Sequence, residues 1–169
     1  MILDFKSFVL NEGDMVFPFF SLIKSKETHD EIEYLFQTPN CSYVISLLEI
    51  GYDDYAESVS DELEAQLINI VKTKKIQKFY DISFMVEGKP INATINKGEV
   101  FKVVGTVAWF VNDYIQKNKN AALIFTGVAN DTKRYNLYKQ YLTNSNNVDL
   151  SYLEYEDERG SKFMLVYKK

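Results

Sequence analysis

NKGEVFKVVGTVAWFVNDYIQKNKNAALIFTGVANDTKRYNLYKQYL, residues 96–142, decides the fold, because it predicts a helix, a buried strand and a second helix in direct succession. Residues 121–128 are almost wholly apolar and too short for a helix of their own, which is typical of a central strand covered on both faces. The first helix is expected to pack on a sheet that contains this strand, since its apolar residues recur three or four positions apart. These residues are Val100, Val103, Val104, Val107, Val111 and Ile115.

Both helices of this stretch begin with residues that favour helix N-termini. Asn96, followed three residues later by Glu99, predicts the N-cap of the first helix. Asn130 or Asp131 is expected to cap the second helix. The apolar side of that second helix consists of Leu137, Tyr138, Tyr141 and Leu142.

Apolar and alternating runs on both sides of this stretch predict the remaining strands. Residues 79–86 and 91–95 flank a four-residue turn and are expected to pair as an antiparallel hairpin. Residues 54–72 have a helical period instead, and form either one helix or two abutting ones. The other predicted strands are residues 16–23, which Pro18 interrupts, 31–36, 43–50, 148–155 and 163–167.

Length and composition limit the class of protein. With 169 residues, of which 46% are hydrophobic, we expect a single domain over residues 1–169. The net charge of −5 disfavours nucleic acid as a partner, because phosphate backbones attract basic surfaces. One cysteine, Cys41, and one histidine, His29, leave zinc without its usual ligands, and no cofactor is expected.

Hydropathy makes a membrane or secreted location unexpected. The sequence has no apolar run of about 18 residues, the length that a membrane-spanning helix needs. The N-terminus also lacks the basic region and long apolar core of a secretory signal. We therefore expect a soluble protein in the host cytoplasm or in a virion.

The order hairpin, long helix, buried strand, helix and final hairpin resembles the acetyltransferases of the GNAT family. This resemblance implies an α+β fold with a single, mostly antiparallel sheet and a helix-strand-helix unit. It also implies that a turn before the long helix holds the pyrophosphate of acetyl-CoA, which corresponds here to Asn96, Lys97 and Gly98. A tyrosine of the second helix serves as general acid in the family, and Tyr138 matches it. The alternative role of Tyr138 is that of an amphipathic residue at the edge of the core.

Residues 79–142 also resemble small proteins of tailed bacteriophages that look like degenerate members of this fold. The pattern V-x-x-T-V in the long helix, the end of the buried strand, and R-x-x-L-Y in the second helix carry the resemblance. It implies the fold and a phage or mobile-element setting, without an assigned chemistry. The matching residues are Val103, Thr106, Val107, Phe125, Gly127, Arg134, Leu137 and Tyr138.

The N-terminal segment has a second phage-type feature. Residues 1–12 resemble the short leader of internal head proteins, which a maturation protease cuts after the tripeptide L-x-E. Here the tripeptide is Leu10, Asn11 and Glu12. The alternative is an N-terminal helix that closes over the sheet.

Aromatic residues indicate how such a protein would be used. Twelve tyrosines and twelve phenylalanines exceed what a core of this size needs, and tyrosine is enriched at protein interfaces. The leading hypothesis is a non-catalytic structural or interaction protein of phage type, such as a virion component, whose partners are itself or other virion proteins. The alternatives are a divergent acetyl-CoA-dependent N-acetyltransferase and a packaged anti-defence protein. The expected contact residues are Tyr52, Tyr55, Tyr152, Tyr155 and Arg134.

Overall fold

A computed structural model describes residues 20–57, 59–89, 99–127, 133–144 and 149–169. Seven strands in this part form one sheet, accompanied by four helices. The strands are β1 Ile23–Glu27, β2 Glu31–Gln37, β3 Ser42–Ile50, β4 Lys78–Val86, β5 Ala121–Gly127, β6 Leu150–Glu156 and β7 Lys162–Lys168. The helices are α1 Tyr52–Ala56, α2 Asp61–Lys74, α3 Val100–Lys117 and α4 Lys133–Asn144.

The sheet is antiparallel except at one place. Its strand order is β1-β2-β3-β4-β5-β7-β6, and only the neighbours β4 and β5 run parallel. The predicted α+β class with a single, mostly antiparallel sheet is thereby confirmed. The helix, strand and helix predicted within residues 96–142 are α3, β5 and α4.

Strand β5 lies in the middle of the sheet and is buried on both faces. Leu123 and Phe125 belong to the larger core cluster, on the face that α3 and α4 cover. Ala122 and Ile124 belong to the smaller cluster under α1 and α2. The predicted burial of this strand on both faces is therefore confirmed. Five of the six residues in the predicted stripe of α3 are fully inaccessible to solvent, and Val100, in the first turn, is half-buried. The five are Val103, Val104, Val107, Val111 and Ile115.

Several predicted boundaries differ from the structure. The region of residues 54–72 contains two helices, α1 and α2, which settles the alternative that the sequence left open. Glu99, and not Asn96, occupies the N-cap position of α3, and its side chain makes no capping hydrogen bond. The first described strand begins at Ile23, while residues 16–19 and the predicted strand 91–95 lie outside the described residues.

The C-terminus of α2 contains a backbone conformation that favours glycine. Lys75 has φ 55° and ψ 40°, and its N–H donates to the carbonyl of Val71. Left-handed backbone costs about 1–2 kcal/mol for residues with a Cβ atom, and glycine avoids this cost. Replacement of Lys75 by glycine should therefore raise the free energy of unfolding by about 0.5–1 kcal/mol, measured by urea denaturation. Lys74→Gly is the control, and it should lower the free energy of unfolding because glycine is unfavourable inside a helix. Equal effects of the two changes would contradict the prediction.

Candidate functional site

The parallel neighbours β4 and β5 separate after a short ladder. They are in register over four residue pairs, from Lys78 with Ala121 to Asp81 with Ile124. Beyond that point β4 continues to Val86 and β5 to Gly127 without pairing to each other. We call the region where residues 82–86 and 125–127 no longer pair the β4–β5 gap, and it is the first candidate site.

Tyr138 of α4 lies against both sides of the β4–β5 gap. The centroid of its ring is 5.5 Å from that of Phe125 on β5 and 6.4 Å from that of Phe84 on β4. The residue is 4% exposed. Edge-to-face and tilted aromatic contacts of this kind stabilise a packed core. The structure therefore brings the predicted Tyr138 to the gap, but as part of an aromatic cluster that closes this side of it.

The start of α3 holds a buried carboxylate. Glu99 is 7% exposed, and its side chain accepts hydrogen bonds from Thr38 Oγ1 and Asn40 Nδ2, both at 2.9 Å. Thr38 and Asn40 belong to the turn between β2 and β3, so the carboxylate ties this turn to the helix. The predicted capping box, with Glu99 three residues after the N-cap, is wrong because Glu99 itself is the N-cap residue of α3. Its carboxylate oxygens are engaged by the distant turn. Asn96, Lys97 and Gly98, the predicted phosphate-binding turn, lie outside the described residues.

Removal of the Glu99 carboxylate should destabilise the fold. Hydrogen bonds to charged groups contribute about 1.5–3 kcal/mol, and Glu99→Ala would leave Thr38 and Asn40 without their acceptor. We expect Glu99→Ala to lower the free energy of unfolding by about 3 kcal/mol, and Glu99→Gln to lower it by less, because one acceptor oxygen remains. Urea denaturation followed by circular dichroism measures both. Glu87→Ala, at an exposed glutamate, is the matched control. If Glu99→Ala lowers the free energy of unfolding by no more than Glu87→Ala does, the proposed role of Glu99 is contradicted.

Asp81 is a charged residue within the apolar strand β4, at the last pair of the parallel ladder. Burial raises the pKa of its carboxyl group. Its neighbours Tyr80 and Ile82 belong to the core on the α3 and α4 face, so Asp81 lies on the opposite face from Tyr138. Sequence reasoning missed this residue, although a lone charge within FYDISFMV was a visible signal. A carboxyl with a raised pKa is suited to proton transfer, but the structure does not bring it to the same face as Tyr138.

The raised pKa of Asp81 makes stability depend on pH. A folded-state pKa above the unfolded value means that the folded protein binds the proton more tightly. The resulting stabilisation is fully present below the unfolded value, near 3.8, and is lost as the pH rises through the raised pKa. Asp81→Asn should therefore become more stable relative to the wild type as the pH rises above about 4.

Urea denaturation of wild type and Asp81→Asn between pH 3 and pH 8 measures this difference. Ser83→Ala, on the same face of β4, changes no ionisable group and should follow the wild-type pH dependence. A constant difference between Asp81→Asn and wild type over this range would count against the raised pKa.

Three of the four tyrosines predicted to form a contact surface pack against the smaller core cluster, and one of them is buried in it. The ring of Tyr55 is 5.8 Å from Phe79 and 6.1 Å from Tyr155, and the ring of Tyr52 is 5.7 Å from Phe79. Tyr55 is only 5% exposed, so its assignment to a contact surface is wrong. Helix α1 places this ring against β4. Removal of its large apolar surface from water stabilises the folded state. Burial also raises the pKa of the Tyr55 hydroxyl.

Tyr152 is the predicted contact residue that is well exposed. It lies on β6, with 48% of its surface accessible. Tyr52 and Tyr155 are half-buried. Arg134, the remaining predicted contact residue, lies in α4, and its side chain is outside the described part of the structure.

A groove of about 250 Å³ lies between α4 and the strands β6 and β7. Within it, Tyr135 Oη donates to Glu154 Oε1 at 2.9 Å, and Lys139 Nζ lies 2.9 Å from the same oxygen. Burial, followed by the hydrogen bond to Glu154, raises the pKa of the Tyr135 hydroxyl. We call this feature the α4–β6 groove. Its lining residues are Tyr135, Asn136, Lys139, Glu154, Tyr155, Glu156 and Lys162.

The α4–β6 groove was not anticipated from the sequence. Tyr135 and Lys139 are one turn apart on α4, but nothing in their pattern indicates that Glu154 lies opposite. Within the described ranges, no group of three or more histidine, cysteine, aspartate or glutamate side chains is placed to hold a metal ion. No helix in the described part of the chain is long and apolar enough to cross a membrane.

Comparison of the chain with protein-family models, curated proteins and solved structures gave no match. The candidate sites are therefore defined by their geometry alone.

Proposed function

We propose that this protein acts by binding other proteins and catalyses no reaction, on a scaffold of acetyltransferase type. The observation that carries this proposal is the packing of Tyr138 between Phe84 and Phe125, which occupies the side of the β4–β5 gap under α4. Glu99 adds to it, because a buried carboxylate at the start of α3 repels the phosphates that a helix N-terminus would otherwise attract.

Titration with coenzyme A and with acetyl-CoA in a calorimeter tests this proposal. We expect no binding at ligand concentrations up to about 1 mM. A dissociation constant of about 1 mM corresponds to a binding free energy of about −4 kcal/mol. A dissociation constant in the millimolar range or tighter would contradict the proposal. Glu99→Gln serves as the matched variant, because it removes the negative charge and keeps the shape of the side chain. If this variant binds coenzyme A and the wild type does not, the Glu99 carboxylate is the group that excludes phosphate.

The setting that we propose is a tailed bacteriophage, with the protein in the virion or in the host cytoplasm. The support is the resemblance of residues 79–142 and 1–12 to phage proteins, together with the acidic net charge of −5, which disfavours a role on nucleic acid. Mass spectrometry of purified particles from a phage that encodes the chain tests this setting. The protein should be present in stoichiometric amounts, and a leader would appear as a new N-terminus at Gly13. Absence from the particles would remove the virion role.

A second candidate function is divergent acetyl-CoA-dependent N-acetyl transfer. It is favoured by the β4–β5 gap itself, since an acetyl-CoA site of this type would need a gap between the strands before and after the long helix, and by the position of Tyr138 against both strands. In this mechanism a neutral amine attacks the thioester carbonyl, a carbon–nitrogen bond forms and the carbon–sulfur bond breaks. The Tyr138 hydroxyl protonates the leaving thiolate, and the surplus proton of the amide nitrogen returns through water to the Tyr138 phenolate.

Release of free coenzyme A from acetyl-CoA, measured with amines and peptides as acceptors, tests this second function. Tyr138→Phe keeps the ring and removes only the hydroxyl, so it should reduce turnover at least tenfold if the tyrosine is the acid. Turnover that is unchanged in Tyr138→Phe would exclude that role. Absence of any turnover would leave the binding function as the better proposal.

A further inference from the structure

Among the strands that the structure describes, β1 and β6 are the edges of the sheet, and they differ in how they are protected. The register of β1 with β2 shifts between Lys24 and Lys26, and both lysines form ion pairs there. Bulges and lysines are the usual devices that keep an edge strand from pairing with another chain. Strand β6 pairs with β7 over seven consecutive residues without a shift, and it carries no lysine or proline. Its outer edge is therefore the better template for a further strand.

The hydrogen bonds that flank β6 show which of its backbone groups face outward. Asp157 N donates to Ser161 O at 2.9 Å, and Lys169 N donates to Asp149 O at 2.8 Å. Since bonded and non-bonded pairs alternate along an antiparallel ladder, the odd-numbered residues of β6 bond to β7. The N–H and C=O groups of the even-numbered residues point away from β7. These residues are Leu150, Tyr152, Glu154 and Glu156.

The same residues place a distinctive set of side chains beside the open edge. Glu154 contacts α4 through Tyr135 and Lys139, so alternation puts Tyr152 and Glu156 on this face as well. Tyr152 offers an exposed aromatic ring, and Glu156 is exposed. Next to them lies the α4–β6 groove, whose volume of about 250 Å³ is below the range typical of small-molecule sites. Lys139 and Lys162 line the groove together with Glu154 and Glu156, so the groove itself has no net negative charge to attract a basic side chain.

The charge beside this edge selects the kind of partner. Residues 149–158 contain five acidic side chains and no basic one: Asp149, Glu154, Glu156, Asp157 and Glu158. A second copy of the chain would bring two such segments together, and like charges on facing strands are destabilising. A strand with basic side chains would instead meet opposite charges.

We propose that the outer edge of β6 is a docking site for an extended segment of a partner protein, which adds to the sheet as an eighth strand. The backbone of the segment bonds to the outward groups of Tyr152 and Glu154. On the face of the sheet toward α4, arginine or lysine side chains of the segment meet the exposed carboxylate of Glu156 and the exposed ring of Tyr152, while Glu154 stays paired with Lys139. This inference rests on the proposed binding function and names its surface and partner chemistry.

Calorimetric titration with two synthetic nine-residue peptides, one alternating arginine with valine and one alternating glutamate with valine, tests the charge preference. The wild-type protein should bind the arginine peptide, more weakly as salt is raised, and the glutamate peptide at least tenfold less tightly. Glu156→Lys should weaken binding of the arginine peptide about threefold. No detectable binding of the arginine peptide at 1 mM, or equal binding of both peptides, would overturn the proposal.

Proline at residue 152 tests the backbone contact. Tyr152→Pro removes an outward N–H that makes no bond to β7, whereas Tyr152→Ala removes the ring and keeps the N–H. The proline variant should bind the arginine peptide about fivefold more weakly than the alanine variant, which matches the loss of one hydrogen bond. Equal binding by both variants would show that side chains alone make the contact, and would overturn strand addition. Should Tyr152→Pro fail to fold, Leu150→Pro against Leu150→Ala makes the same comparison at the first residue of β6.

Two further measurements separate this inference from the function on which it rests. Sedimentation equilibrium should show a monomer, and a dimer that Tyr152→Pro dissociates would make a second copy the occupant and overturn the choice of a basic partner. Coenzyme A titrated into the same preparation tests the proposed function independently. Absence of both peptide and coenzyme A binding would overturn strand addition alone, while coenzyme A binding would overturn the non-catalytic function.

Discussion

Replacement of Leu123 by alanine is expected to lower the free energy of unfolding by about 4 kcal/mol. Leu123 is 0% exposed and lies on the central strand β5, within the larger core cluster. Its loss removes apolar contacts and leaves a cavity that the paired neighbours β4 and β7 cannot collapse to fill. Urea denaturation with circular dichroism and tryptophan fluorescence measures the change.

Leu48→Ala is the matched control for this variant, since Leu48 is also a strand leucine but is 44% exposed. Its replacement should cost less than about 1.5 kcal/mol, because much of the side chain already contacts water. Comparable losses in the two variants would show that β5 is not the centre of the core.

Addition of a single methyl group at Gly127 should be about as damaging. A Cβ atom at this residue would lie 2.6 Å from Tyr135 Cβ and 2.9 Å from its Cγ, well inside the distance at which carbon atoms repel. This contact joins the end of β5 to α4. The position of the Tyr135 Cβ atom is fixed by the helix backbone, so it cannot move away by side-chain rotation. We expect Gly127→Ala to lower the free energy of unfolding by about 3 kcal/mol.

The neighbouring exposed residue supplies the control, as Thr126→Ala should change stability by less than about 1 kcal/mol. A double-mutant cycle with Tyr135→Gly gives a sharper test, because that change removes the Cβ atom that Gly127→Ala would strike. The loss in the double variant should be smaller than the two separate losses added together. Additive losses would mean that the two residues do not collide.

The spacing of apolar residues along the chain predicted helix α3 and strand β5. The valine stripe of α3 and the apolar run of β5 each satisfy a single local pattern, and both are buried as expected. The parallel pairing of β4 with β5 follows from neither pattern. A local pattern identifies a strand but does not state which neighbour it will have.

The contacts of the candidate sites depend on residues far apart in the chain, which explains why the sequence did not reveal them. Glu99 bonds to Thr38 and Asn40, some sixty residues earlier, and a capping motif accounted for Glu99 without them. Tyr55 is predicted at the surface because the tyrosines and phenylalanines outnumber what a core of this size needs. Its burial follows from the position of Phe79 under α1, which no local pattern displays.

The short parallel ladder between β4 and β5 has a consequence for the order in which the protein assembles. Hairpins such as β2–β3 and β6–β7 join segments that are close in the chain, so they close small loops at low entropic cost. The ladder that joins the two antiparallel halves links Lys78 to Ala121 and consists of only four pairs. Sequence separation alone does not set this ladder apart, since β5 and β7 also pair across 35 to 45 residues. Its four pairs, however, supply fewer hydrogen bonds than the six pairs of β5 with β7 against a similar loss of chain entropy. We therefore expect the two halves of the sheet to acquire structure first, and this seam to close last on folding.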